Sequence, residues 1–182
     1  FGPMKNLAAR LARNDWIFNI DSDEVADTEL MESIRAAVAE NRMQKVFSLS
    51  RLNHYDGRLI KACGWYPDII PRLYHRRFTQ FSDRQVHESL KLPENTETQM
   101  LAGRLKHYSF ENAEGLIRKM QQYSTLYAEE NRYKKPASPA KALLHGGVSF
   151  VKNYFLKRGF AYGSDGLIIS AANAQGSYYK YV

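Results

Sequence analysis

Asp21 and Asp23 stand two residues apart in Asn19-Ile20-Asp21-Ser22-Asp23-Glu24, directly after the apolar run Trp16-Ile17-Phe18. Alternate residues at the end of a strand can turn two carboxylates toward one hard cation, Mg or Mn, and such a cation neutralises a bound diphosphate. The same spacing also suits a solvated acidic turn that caps the following helix, and the motif alone leaves both readings open. Other residues of interest are isolated. His107, beside Tyr108, reads by itself as a packed or surface histidine. Glu88 reads as a surface carboxylate paired with Arg84 or Lys91.

The elements that must position these residues follow from periodicity. Pro3 at a first-turn position, with Met4, Leu7, Ala8 and Leu11 at helical spacing, predicts a short amphipathic helix carrying Lys5 and Asn6. Trp16 to Ile20 has no helical stripe and predicts a buried strand that feeds the acidic loop. Asp27 or Thr28 caps a second helix, with Leu30, Ile34, Ala37 and Val38 on one face and an end near Asn41. Val46 to Ser50 predicts a strand, and Asp56-Gly57 a tight hairpin turn before Leu59 to Ala62. The aromatic, arginine-rich stretch from Trp65 to Leu92, broken by Pro67 and Pro71, predicts strands and site-forming loops. Asn112 caps a long helix that runs to about Tyr133, where Lys134-Lys135-Pro136 stops it. Helix alternating with strand makes this an α/β chain.

Bulk properties narrow the classes. At 182 residues, 44% hydrophobic and 25% charged, the chain can bury a core and is neither fibrous nor disordered. The single cysteine, Cys63, allows no internal disulfide and fits a reducing compartment. A net charge of +7 implies an anionic partner: nucleic acid, an acidic lipid surface or a phosphate-bearing substrate. No run is apolar enough to span a bilayer, so membrane contact is expected to be peripheral. Beyond residue 133, Lys134, Lys135, Lys141, Lys152, Lys157, Arg158 and Lys180 face only Asp165, among many aromatic and apolar side chains. The organisation expected is therefore one folded domain over 1–133 and a basic amphipathic tail over 134–182. The tail reads either as a helix pair lying on an anionic bilayer, with Phe150, Tyr154, Phe155 and Phe160 inserted, or as helices packed on that domain.

The run Asn14 to Glu24 closely resembles the strand and metal-binding loop of family 2 glycosyltransferases, and Gly2 to Ala8 resembles the stretch before it. The likeness continues through Pro71-Arg72-Leu73-Tyr74, Val86-His87-Glu88, Leu105-Lys106-His107-Tyr108, Gly159-Phe160 and Asp165-Gly166. Their order and spacing resemble the lipopolysaccharide core β-glucosyltransferases of that family. The resemblance implies a GT-A-like, Rossmann-like domain lacking its first strands, since family members begin with a nucleotide-binding strand that precedes this sequence. It implies that Asp21 lies near the nucleotide, that Asp23 and His107 hold a divalent metal, and that Lys5 and Asn6 line the donor pocket. Glu88 becomes the base that takes the acceptor proton in an inverting displacement. Trp65, Tyr66, Arg72 and His87 fall on the acceptor side, where aromatic faces suit sugar C–H surfaces and an arginine fork suits phosphate. For Trp65 core packing is the plainer role.

The implied reaction moves a hexose, glucose from a UDP donor, onto a lipid-linked saccharide of a lipopolysaccharide core, at the cytoplasmic face of a bacterial inner membrane. Two other classes compete. A basic nucleic-acid-binding module would use the positive charge and the tyrosines, but Asp21-Ser22-Asp23-Glu24 opposes a phosphate backbone and no nucleic-acid motif occurs, so no nucleic-acid partner is expected. An inactive membrane-adhering fragment is the other.

Overall fold

The computed structural model describes residues 2–82, 89–131 and 137–181 of the chain. Its elements are α1 (Gly2–Leu11), β1 (Trp16–Phe18), β2 (Glu24–Ala26), α2 (Thr28–Glu40), β3 (Lys45–Tyr55), β4 (Arg58–Leu59), β5 (Ile69–His75), β6 (Glu97–Phe110), α3 (Ala113–Asn131), α4 (Pro139–Val151) and α5 (Gly163–Tyr179). A π turn (Lys152–Leu156) and a 3₁₀ turn (Gly159–Tyr162) link the last two helices. The fold is mixed α/β. The chain forms two compact units, Phe1–Leu52 with Pro67–His107, and Asn53–Tyr66 with Tyr108–Val182. This division cuts across the boundary expected at 133/134, which itself falls at residues outside the described ones.

The first unit is organised by a sheet of order β1-β5-β3-β6-β2, and β1–β5, β3–β5 and β2–β6 pair antiparallel. β3 is buried on both faces from Val46 to Ser50, because alternate side chains enter different clusters. Phe47 and Leu49 meet Leu30, Ile34 and Ala37 of α2 with Leu73, Leu101 and Leu105, whereas Val46 joins Tyr74, Phe81 and Leu90. α2 starts and stops where its caps dictate. Asp27 Oδ1 accepts the Leu30 N–H at 2.8 Å, and Asn41 closes the helix in the left-handed region at φ 49°. Asp27 Oδ2 also accepts the Arg104 N–H at 3.0 Å, tying α2 to β6. That close passage needs Gly103, at φ +85°, where a Cβ would lie 2.2 Å from the Leu30 nitrogen.

α1 is anchored at two points. The Asn6 amide donates to the Phe81 carbonyl and accepts the Phe81 N–H, both at 2.9 Å. At its C-terminal end the Arg76 guanidinium donates to the carbonyls of Ala9 (3.1 Å) and Ala12 (2.8 Å) and is itself held by Asp15 at 2.8 Å, serving as a cap for the orphan acceptors.

In the second unit Asp56 and Gly57, at φ 47° and 71°, form the expected hairpin between β3 and β4. Asn112 accepts the Gly115 N–H at 2.9 Å at the start of α3, and Ser138 caps α4. α4 and α5 pack together, and α3 packs on α5. The core joins Tyr55, Ile60, Ala62 and Cys63 to Leu116, Ile169 and Ala172. Two of the tail glycines are packing residues: a Cβ on Gly166 would lie 1.8 Å from the Gly159 carbonyl oxygen. Among the described residues no helix is long and apolar enough to cross a membrane.

Candidate functional site

The acidic loop is a short bridge between two strands, and Glu24 rather than Asp21 is its hub. Asp21 follows β1; three residues later Glu24 opens β2. The Glu24 N–H donates to the Asp21 carbonyl at 3.1 Å while Glu24 Oε2 accepts the Asp21 N–H at 2.9 Å, so the loop closes on itself. Strand register then delivers the partners. Phe18 pairs with Leu73, and the Asn19 N–H donates to the Arg72 carbonyl at 2.8 Å, which brings the Arg72 side chain to the loop. Glu24 pairs with His107, which brings that imidazole beside Asp23.

Arg72 is buried and reads three acceptors. Its Nη1 donates to Asn19 Oδ1 at 2.6 Å, and its Nη2 to Asp21 Oδ2 at 2.9 Å and Glu24 Oε1 at 3.0 Å. The Glu24 side chain is fully buried. It also receives Arg51 Nη1 at 3.2 Å, and Arg51 Nε donates to Asp68 Oδ2 at 2.8 Å. Lys5 Nζ approaches Asp21 Oδ1 at 3.7 Å. Asp21, Glu24 and Asp68 are thus matched by Lys5, Arg51 and Arg72, as buried charges require. Burial pushes the Asp21 carboxyl up, but Arg72, Lys5 and Arg51 together outweigh it and hold the group below the usual carboxylate range. Burial likewise lowers Arg51, yet Asp68 and Glu24 leave it above the ordinary guanidinium value.

Asp23 stands outside that matched set. Its Oδ2 lies 3.3 Å from His107 Nε2, with the carboxylate part-exposed and the imidazole buried. Two ligands of one octahedral ion at about 2.1 Å lie about 3 Å apart, so these atoms have the spacing of adjacent ligands. A hard divalent ion held by one or two protein groups takes its remaining ligands from substrate phosphate and water. The pair fits that mode. Among the described residues no cluster of three or more potential ligands occurs.

The structure brings Lys5, Asp21, Asp23, Arg72 and His107 together in the first unit. Arg72 belongs to the acidic loop there, not to an exposed phosphate-reading surface. Asn6 is close in sequence to Lys5 but spends its amide on the Phe81 backbone. Trp65 lies in the second unit, packed against that unit's core and 5.7 Å from the Phe110 ring, while Tyr66 is exposed under Lys61. Glu88 and His87 lie outside the described residues. Glu24, Arg51, Asp68 and Asn19 also belong to the loop's network and are not singled out by the sequence. Glu24 was visible only as one more loop acid, and the arginines carry no local pattern, since strand pairing alone brings residues 51 and 72 to residue 24.

The chain is 26% identical over 176 residues to an uncharacterized glycosyltransferase of Rickettsia prowazekii (strain Madrid E) and to one of Rickettsia typhi (strain ATCC VR-144 / Wilmington). It is 26% identical over 178 residues to one of Rickettsia bellii (strain RML369-C). Each match covers 91% of this chain, which spans 60% of the length of these curated relatives. No protein-family model matches the chain.

Proposed function

We infer that this chain carries the metal and donor side of a glycosyltransferase. The observation that carries the reading is the Asp23–His107 pair, at 3.3 Å, at the end of a loop whose other acids are already neutralised. Relatives named glycosyltransferases across nine-tenths of the chain support it. The finer reading is an inverting family 2 enzyme of GT-A type that moves glucose from a UDP donor to a lipid-linked lipopolysaccharide core saccharide.

In this mechanism Asp23 and His107 hold a Mg or Mn ion, which supplies charge neutralisation for the departing diphosphate. Asp21, kept ionised by Arg72, lies beside the nucleotide, with Lys5 adding positive charge. Asn6 contributes by fixing α1. Glu88 takes the proton of the acceptor hydroxyl as its oxygen bonds to the anomeric carbon. The bond from that carbon to the diphosphate breaks on the opposite face, and the configuration inverts. Arg72 Nη2 and Arg51 act on Glu24, and so hold the loop that carries Asp23.

The second unit supplies the membrane side of the proposal. Leu143, Leu144, Val148 and Val151 form an exposed apolar face on α4 that continues into Phe155 and Leu156, among Lys141, Lys152 and Lys157. Such a face with flanking lysines suits peripheral binding to an anionic bilayer, at the inner face of the bacterial inner membrane.

The test is release of nucleoside diphosphate by the protein, assayed over a set of nucleotide sugars with and without divalent ions and with a heptose-containing core acceptor. Metal-dependent release that needs acceptor, and is lost in Glu88→Gln, is expected. Equal rates in EDTA, or full activity of Glu88→Gln, overturn the mechanism.

A further inference from the structure

A second, differently charged recess lies wholly within the second unit. It is a cavity of about 370 Å³ walled by α3, α4, the π turn and the end of α5, a volume in the range of small-ligand sites. Among the described residues its charged side chains are Lys152, Lys157 and Lys180, and no carboxylate side chain lines it. Three lysines lining one recess repel one another, and an anion bound there relieves that repulsion.

The recess is built rather than incidental. Asn153, buried and itself part of the lining, donates to the Ser149 carbonyl at 2.7 Å and fixes the π turn that carries Lys152. The end of the Lys157 side chain lies against the bare backbone of Gly64, where a Cβ would come within 2.4 Å of Nζ, so its position depends on that glycine. Lys180 Nζ sits 4.9 Å from the Tyr127 ring, a seat that holds the ammonium in place. His145 stacks on Tyr181 at 4.2 Å to form the facing wall. The Ser149 and Ser177 hydroxyls both donate to the Asn173 carbonyl and line the recess between these charges.

We propose that this cavity binds a phosphate or diphosphate group. Lysine ammonium groups act as point charges, which suits a multiply charged, tetrahedral oxyanion more than a planar carboxylate, for which an arginine fork is better matched. Val148, on the exposed apolar face of α4, also lines the cavity. A lipid phosphate can therefore reach it from a bilayer, and so can a soluble phosphate. The proposal stands on the lining and is independent of the transferase reading.

Inorganic pyrophosphate is the probe, titrated into the full chain at low salt and followed by calorimetry and by the NMR signals of His145. Saturable binding is expected. It should weaken roughly tenfold or more in Lys152→Gln/Lys157→Gln, a pair of exposed changes, and remain unchanged in the charge-loss control Arg118→Gln, which lies outside the cavity. Phosphatidic acid vesicles form the second arm. Displacement of bound pyrophosphate by vesicles assigns the site to a lipid phosphate, and its retention assigns it to a soluble one. No saturable binding at millimolar pyrophosphate, or equal affinity in the double variant with folding confirmed by circular dichroism, overturns the proposal.

Discussion

His107 Nε2 lies 3.3 Å from Asp23 Oδ2, although the two residues are far apart in the chain, because Glu24 and His107 are cross-strand partners in the β2–β6 pair. Among the described residues no guanidinium pairs with Asp23, and the strand register joins this acid to an imidazole.

From this follows a paired loss. Asp23→Asn and His107→Ala should each reduce metal-dependent nucleoside diphosphate release on the order of 100-fold and raise the metal concentration needed for half-activity. If the two act on one ion, as proposed, the double variant should be little worse than either single one. Multiplicative losses in a metal titration of the four proteins would separate the two residues and defeat the shared-ion reading.

Arg72 makes a different prediction, one of stability. Its removal leaves the fully buried Glu24 carboxylate with Arg51 as its remaining cation among the described residues, and breaking one partner of a buried ion pair costs about 3–5 kcal/mol. Arg72→Met should therefore lower the urea midpoint sharply, and adding Glu24→Gln should restore much of it. If the second change fails to restore stability, the cost lies in lost packing and not in the stranded charge.

How much of this could be read from the residues alone depends on whether the signal was local. α1, α2, the hairpin and α3 were legible because caps, helical stripes and an Asp-Gly turn act over a few residues: Asp27, Asn41, Gly57 and Asn112 all serve as expected. β6 was missed, although Leu101, Gly103, Leu105 and His107 alternate inward against Ala102, Arg104, Lys106 and Tyr108. β2 was hidden inside an apparent acidic loop because Glu24, a charged residue, is its buried first member. Asp21, Asp23 and His107 stand in motifs that the sequence displays, whereas the place of Arg51 and Arg72 at this loop depends on which strands are neighbours.

The Asp21 carboxyl gives the acid branch of the stability curve. Its folded pKa lies below the unfolded value, so ionised Asp21 contributes stability that is present above the ordinary aspartate value of 3.8 and is lost as pH falls through the folded pKa. The group is part-exposed, which limits the size of the effect. Wild type should thus lose stability below about pH 4 more steeply than Asp21→Asn, as measured by urea unfolding between pH 3 and pH 6. Parallel curves would show that Arg72 and Lys5 do not favour the ionised form.

Gly103 tests the join between sheet and helix. Alanine there must occupy φ +85° and place a methyl group 2.2 Å from the Leu30 nitrogen and 2.6 Å from Asp27 Oδ1. Backbone strain at a positive φ costs about 1 kcal/mol or more, and loss of the N-cap adds about 1 kcal/mol, so Gly103→Ala should destabilise by at least about 2 kcal/mol. A thermal midpoint within a degree of wild type would mean that β6 can move away from α2 without cost.

The last prediction concerns the apolar face of α4 and the π turn. Leu143, Leu144 and Leu156 are 68%, 66% and 76% exposed, and none of them lines the lysine cavity, so they can be changed without disturbing it. Each leucine inserted into a bilayer contributes on the order of 1–2 kcal/mol, and each nearby lysine about 1 kcal/mol before screening. Replacing the three leucines with serine should weaken co-sedimentation with phosphatidylglycerol vesicles by at least about 100-fold while leaving the helices intact, since exposed side chains carry none of the core. The electrostatic share should decline as salt rises from 0.05 to 0.5 M, because the Debye length shrinks to a few ångströms, and the leucine-dependent share should persist. Equal vesicle binding by wild type and the triple serine variant would remove α4 as the anchor and leave the lysines as a purely ionic attachment.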